Sequence, residues 1–185
     1  NLIILPQSHY CDRAAWALTA AGVAHTVTAH AIPTYLLYTQ VAYGSRSTPI
    51  LVRPAPAGGA PPPPPLLSSD AILAWVAKEV DPSLAPPTSD DVALEATLSA
   101  RLGVHARRFA YEHVLAAGGS VLGRLSCRHL GAVEGAVYKG ALAAGVVGAY
   151  LRRGLALDAA AAARSLAVVR SQFDAVSARL AAQAA

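Results

Sequence analysis

The sequence predicts two parts of different class: a small α/β part of order β-α-β then β-β-α, and a wholly helical part after it. Three observations predict this. The apolar run Leu2 to Leu5 opens directly into a stretch with helical spacing, and then into the alternating segment "VAHTVTAH". The segment "DPSLAPPTSDD", Asp81 to Asp91, carries prolines and acids without apolar periodicity, so it reads as a linker. Beyond Val92 no segment reads as a strand. The expected boundaries are residues 1–80, a linker over 81–91, and a helical part over 92–185.

Each element has a local cause. Leu2 to Leu5 is short, apolar and suited to a buried strand. Cys11, Ala14, Ala15 and Leu18 then recur at the spacing of one buried helix face, and Gly22 supplies a stop. "VAHTVTAH" is β-branched where a strand needs it, so the chain opens β-α-β, which favours a parallel pair joined by a right-handed crossover. A tyrosine-rich loop is expected next. "RSTPILVRP" follows as a strand entered through Thr48-Pro49.

"APAGGAPPPPPLL" then interrupts the pattern. Five successive prolines cannot donate to a sheet ladder and favour an exposed polyproline segment. It reads either as an elongated hairpin loop or as a docking site for a proline-reading partner. In "LLSSDAILAWVAKEVD", Ser68 and Ser69 are candidate caps, and Ile72, Trp75, Val76 and Glu79 fall at helical spacing. A small α/β part feeding a helical one predicts an α/β plus all-α chain, with a thioredoxin-like N-terminal module and a helical extension.

Composition bounds the function. Of 185 residues, 54% are hydrophobic and 14% charged, ample for a core and unlike a disordered chain. The net charge of +4 is spread along the chain, so no basic stripe for nucleic acid is expected. Two distant cysteines, Cys11 and Cys127, exclude a disulfide scaffold and argue for an intracellular reducing compartment, cytoplasmic or organellar. "GALAAGVVGAYL" is too short for a bilayer and reads as a buried helix, so no membrane span is expected. The chain starts at Asn1 without methionine, which leaves a processed leader open.

Three features carry chemistry. Ser8 and Cys11 form a serine-x-x-cysteine arrangement at a strand-to-helix turn. With serine first, a dithiol cycle is excluded, but the hydroxyl still suits donation to a bound thiolate near the helix N-terminus. The plainer alternative is that Ser8 caps the helix. Thr48-Pro49 stands ahead of a strand, and a proline at this point of a thioredoxin-like fold is expected to be cis, exposing backbone that pairs with an extended peptide. Ser69 and Asp70 open a helix, where hydroxyl and amides suit a carboxylate and Asp70 an ammonium; an ordinary cap with an acid in its first turn is the alternative.

The order and spacing of "SHYCDRAAWALTAAGV", "STPILV" and "LLSSDAILAWV" resemble the glutathione-binding half of the glutathione S-transferase superfamily. "LGVHARRFAYEHVL" resembles a helix of a transferase-like subgroup that shares the serine-histidine-tyrosine-cysteine turn and a histidine near His30. The resemblance implies that glutathione is the co-substrate and a small electrophile the second substrate. Ser8 would be catalytic, orienting and helping to ionise the sulfur. Thr48 and Pro49 would clamp the cysteinyl backbone, and Ser69 with Asp70 would hold the γ-glutamyl end. It also implies a homodimer or larger assembly, and final helices beyond "LAAQAA", so the helical part is expected to be incomplete. The rival expectation is a non-catalytic member of the same fold, acting as a binding or assembly subunit.

Other residues carry less. Tyr10 is an alternative hydroxyl donor, and Cys11 reads as a buried small hydrophobe. His105, Arg107 and Arg108, with His113, either border an acceptor site or form a solvated helix face. His9, His25 and His30 lack metal-ligand spacing, so no metal is expected.

Overall fold

The structure, a computed structural model, describes residues 1–184. It is mostly helical, with one small mixed sheet of three strands, all of them before Val52. The chain divides into two compact units. One is Asn1–Ala85 with Gly123–Leu142, and the other is Pro86–Leu122 with Ala143–Ala185. The first division falls inside the expected linker. The expected helical part over 92–185 is nevertheless not one body, because residues 123–142 belong with the sheet.

In the sheet-bearing unit, β1 (Leu2–Ile4) is central in the order β2-β1-β3. It pairs parallel with β2 (Val27–Ala29), Leu2 opposite Val27, and antiparallel with β3 (Ile50–Leu51), Leu2 opposite Leu51. The crossover between β1 and β2 is α1 (His9–Ala20), whose buried face is Cys11, Ala14, Ala17 and Leu18. It closes at Ala21, and Gly22 takes a positive φ that favours glycine.

Two expectations need correction here. The tyrosine-rich loop is a helix, α2 (Thr34–Tyr43), ended by Gly44 in the left-handed region. Its buried positions, Tyr35 and Thr39, lie one turn apart, too narrow a stripe to stand out in the sequence. The fourth expected strand is reduced to one antiparallel pair, Leu51 with Leu66. The prolines before Leu66 have no N–H to extend a ladder.

Helix α3 (Ser69–Trp75) continues through a wider π-type turn to Val80 and packs against α1. Leu2, Ala14, Leu18, Leu51, Ile72 and Val76 form one buried cluster between sheet and helices. Ser68, not Ser69, is the cap: its side chain accepts from the Ala71 N–H. A short 3-10 turn over Pro82–Leu84 follows, inside the segment read as a linker.

Residues 123–142 hold the sheet-bearing unit through polar contacts. They contain the end of α6 (Gly119–Cys127) and most of α7 (Ala132–Ala143). Glu134, in the first turn of α7, accepts from the Ala31 N–H (2.9 Å), from Thr34 Oγ1 and from His30 Nδ1 (3.1 Å). A carboxylate has only lone pairs to offer, so Nδ1 of His30 carries the proton. The His30 ring also lies against Tyr38, centroids 4.2 Å apart. Buried Ser126 sits 2.9 Å from Gln7 Oε1 and 3.2 Å from the Tyr138 hydroxyl.

The second unit contains α4 (Ser89–Thr97), α5 (Val104–Ala116), α8 (Val146–Leu155) and α9 (Ala159–Ala184), with α5 packed chiefly on α9. Thr88 caps α4 by accepting from the Asp91 N–H. Arg179 on α9 meets the Asp91 carboxylate at 2.5 Å. "GALAAGVVGAYL" is not one helix: Gly145, at φ +76, separates α7 from α8. No helix among the described residues is long and apolar enough to cross a membrane.

Candidate functional site

The candidate site grows from the turn between β1 and α1. Ser8 N–H donates to the Leu5 carbonyl (3.2 Å), and the Ser8 carbonyl accepts from Cys11 N–H (2.8 Å) and Asp12 N–H (3.0 Å). The turn is therefore closed by backbone, and the Ser8 side chain makes no capping hydrogen bond. The alternative in which Ser8 serves as a side-chain cap does not describe this turn.

The Ser8 and Thr48 side chains both stand near enough to the Cys11 sulfur to favour its ionised form. Ser8 ends the β1 turn, Thr48 enters β3, and Cys11 lies one turn inside α1, so three elements converge on one atom. The sulfur is almost completely buried, at 1% exposure for the residue. Burial pushes the Cys11 thiol above its ordinary value, outweighing the opposing hydrogen bonds from Ser8, Thr48 and the Leu5 backbone. Cys11 is thus a neutral thiol that gathers two hydroxyls, beyond the small hydrophobe that its helix position suggested.

The Thr48–Pro49 peptide is cis, as expected for a proline at this point of a thioredoxin-like fold. Pro49 is fully buried, and Thr48 is half-buried beside Cys11. A second cis peptide, Ile32–Pro33, lies just before α2 and was not anticipated from the sequence.

Ser69 and Asp70 take different surroundings at the start of α3. Ser69 is buried at 5% exposure. Asp70 is exposed, and its Oδ1 sits 2.6 Å from Arg13 Nη1 of α1. A carboxylate expected to receive a ligand ammonium already has a cationic neighbour. Arg13 was not singled out in the sequence; its position one helix turn from Trp16 gave no signal of a partner on α3.

His105, Arg107 and Arg108 lie on α5 in the second unit. His105 Nδ1 is 3.1 Å from the hydroxyl of Ser165, which is fully buried on α9. Arg108 Nε donates to the Leu155 carbonyl (2.8 Å), and its Nη1 lies 3.5 Å from the same Ser165 hydroxyl. His105 and Arg108 therefore bind neighbouring helices of their own unit. Arg107 is half-buried, not part of a solvated face.

No protein-family model, no curated protein and no solved structure matches this chain. Among the described residues, no group of three or more His, Cys, Asp or Glu side chains stands where it would hold a metal ion.

Proposed function

We propose that the sheet-bearing unit is a thioredoxin-like module that binds glutathione and positions its sulfur for attack on a small electrophile. The observation that carries this reading is the convergence of Ser8 and Thr48, the residue before cis-Pro49, on the Cys11 sulfur. It makes a hydroxyl at a helix N-terminus the neighbour of backbone suited to an extended peptide. The order β2-β1-β3, parallel on one side and antiparallel on the other with a further pair at Leu66, supports the thioredoxin-like part.

The residues present fit glutathione at two of three points. Ser8 would turn its single hydroxyl proton from Cys11 to the ligand sulfur, and Thr48 with Pro49 would pair with the cysteinyl backbone. At the γ-glutamyl end Ser69 is buried and Asp70 faces Arg13, so ligand ammonium would share that carboxylate with a guanidinium. The sulfur loses its proton to water and supplies the electron pair for the new carbon–sulfur bond. The electrophile's leaving group departs with its own bonding pair or, in an activated alkene, the π pair shifts and is protonated from water. The protein contributes proximity and a donor that favours the thiolate.

Replacing Ser8 with alanine tests this reading. One hydrogen bond to a charged group is worth about 1.5–3 kcal/mol, roughly a tenfold to hundredfold fall in turnover with a generic electrophile. Glutathione affinity should change far less. Equal turnover in parent and variant would contradict the role of Ser8.

A second reading, a non-catalytic binding or assembly module of the same fold, is favoured by the Arg13–Asp70 pair. Exposed Leu37 and Val41 on α2, and exposed Val133 on α7, add apolar surface suited to a partner. Glutathione binding without turnover would select this reading.

A further inference from the structure

We propose that the loop between Leu51 and Leu66 is itself a ligand, presenting Pro61–Pro65 to a domain that reads polyproline through an uncharged, aromatic-lined groove. The proposal does not depend on glutathione.

The loop is built as a stiff arm on a fixed base. At the base, Leu51 and Leu66 exchange both backbone hydrogen bonds, at 2.9 and 3.0 Å. Arg53 Nη2 donates to the Pro64 carbonyl at 3.2 Å. The Arg53 guanidinium also lies 5.4 Å from the centre of the Trp75 ring and 4.0 Å from Glu79, which fastens the base to α3 and the turn after it. At the tip, Gly58 and Gly59 adopt φ of +107 and +81, where glycine alone is unstrained, and they turn the chain back.

The returning arm, Pro61–Pro65, has no N–H to donate to the outgoing arm. Pro61, Pro62 and Pro64 are exposed, and Pro63 and Pro65 are half-buried. Five consecutive prolines favour the extended polyproline helix before any partner arrives, so little chain entropy remains to be lost on binding. Their rings offer flat apolar faces, and the carbonyls other than that of Pro64, which Arg53 holds, offer acceptors to a partner. Aromatic side chains with an indole or phenol donor match both.

Charge narrows the partner. From Pro54 through Pro65 the chain contains only proline, alanine and glycine. The nearest cation, Arg53, is held by Pro64, Trp75 and Glu79. A groove that needs a basic residue beside the prolines has nothing to grip; an uncharged one does.

The test titrates the full chain with a purified EVH1 domain and a purified WW domain, with an SH3 domain carrying an acidic specificity pocket as comparator. The expected result is saturable binding of the EVH1 or the WW domain. Pro62→Ala with Pro63→Ala should weaken it at least about tenfold, with the thermal transition unchanged. A synthetic peptide of residues 59–67 should compete. Absence of saturable binding by either domain, equal affinity of parent and variant, or tighter binding by the SH3 domain would overturn the proposal.

Discussion

Ser8, in the turn after β1, and Thr48, at the entry to β3, meet at the buried sulfur of Cys11. The contact fixes the turn after β1 against the entry to β3 and leaves Cys11 in its neutral form. It also makes Cys11 a residue whose chemistry is legible only in three dimensions.

Burial makes Cys11 inert as a nucleophile, since the thiolate is the reactive form. With an excess of a thiol-modifying reagent at neutral pH, the folded protein should leave Cys11 unmodified, while the denatured chain should react at both Cys11 and Cys127. Mass mapping of the labelled sites checks this. Labelling of Cys11 in the folded protein would contradict its burial.

The same thiol gives stability a pH dependence. Its folded pKa is raised above the ordinary 9.0, so the folded chain keeps a proton that the unfolded chain releases. This contribution is fully present below about pH 9 and is lost as pH rises toward the folded value. Tyr43 adds in the same direction at higher pH: its hydroxyl donates to Tyr38, which with burial pushes it up to about 12. Denaturation midpoints should therefore fall more steeply above pH 9 in the parent than in Cys11→Ser. Parallel curves would show that Cys11 is not protected.

Ser68 and Ser8 both precede helices, yet only Ser68 caps through its side chain. Ser68→Ala should cost about 1 kcal/mol of stability. Ser8→Ala loses no helix cap, only its contact with Cys11, so its stability cost should be the smaller of the two and its main effect should fall on turnover. Urea denaturation of both variants tests the contrast, and a larger loss in Ser8→Ala would reverse it.

Glu134 holds α7 to the loop ahead of α2 by accepting from His30, Ala31 and Thr34. Removing it leaves an amide and an imidazole without their acceptor in a half-buried place. Glu134→Ala should destabilise the protein by about 3 kcal/mol, with Glu134→Gln losing less because its amide oxygen still accepts. A loss under about 0.5 kcal/mol in the alanine variant would mark the contact as peripheral.

Local signals carried much of the sheet-bearing unit. The spacing of Cys11, Ala14 and Leu18 marks a face that the structure buries, and Thr48-Pro49 marks a peptide that is cis. What the sequence hid was long-range or weakly periodic. Helix α2 buries only Tyr35 and Thr39, so its pattern resembles a loop. Residues 123–142 join the sheet-bearing unit through Glu134 and Ser126, whose partners lie about a hundred residues away. Neither polar residue announces such a partner. The hydroxyls around Cys11 and the Arg13–Asp70 pair were likewise invisible to local reasoning.

Calorimetric titration of the full chain with reduced glutathione tests the central claim most directly. The predicted result is saturable one-to-one binding with a dissociation constant below about 1 mM, an affinity of at least about 4 kcal/mol. Ser8→Ala should keep that binding, and Asp70→Ala should weaken it. Heat no greater than dilution throughout the titration would contradict the glutathione reading, and with it the role proposed for Ser8.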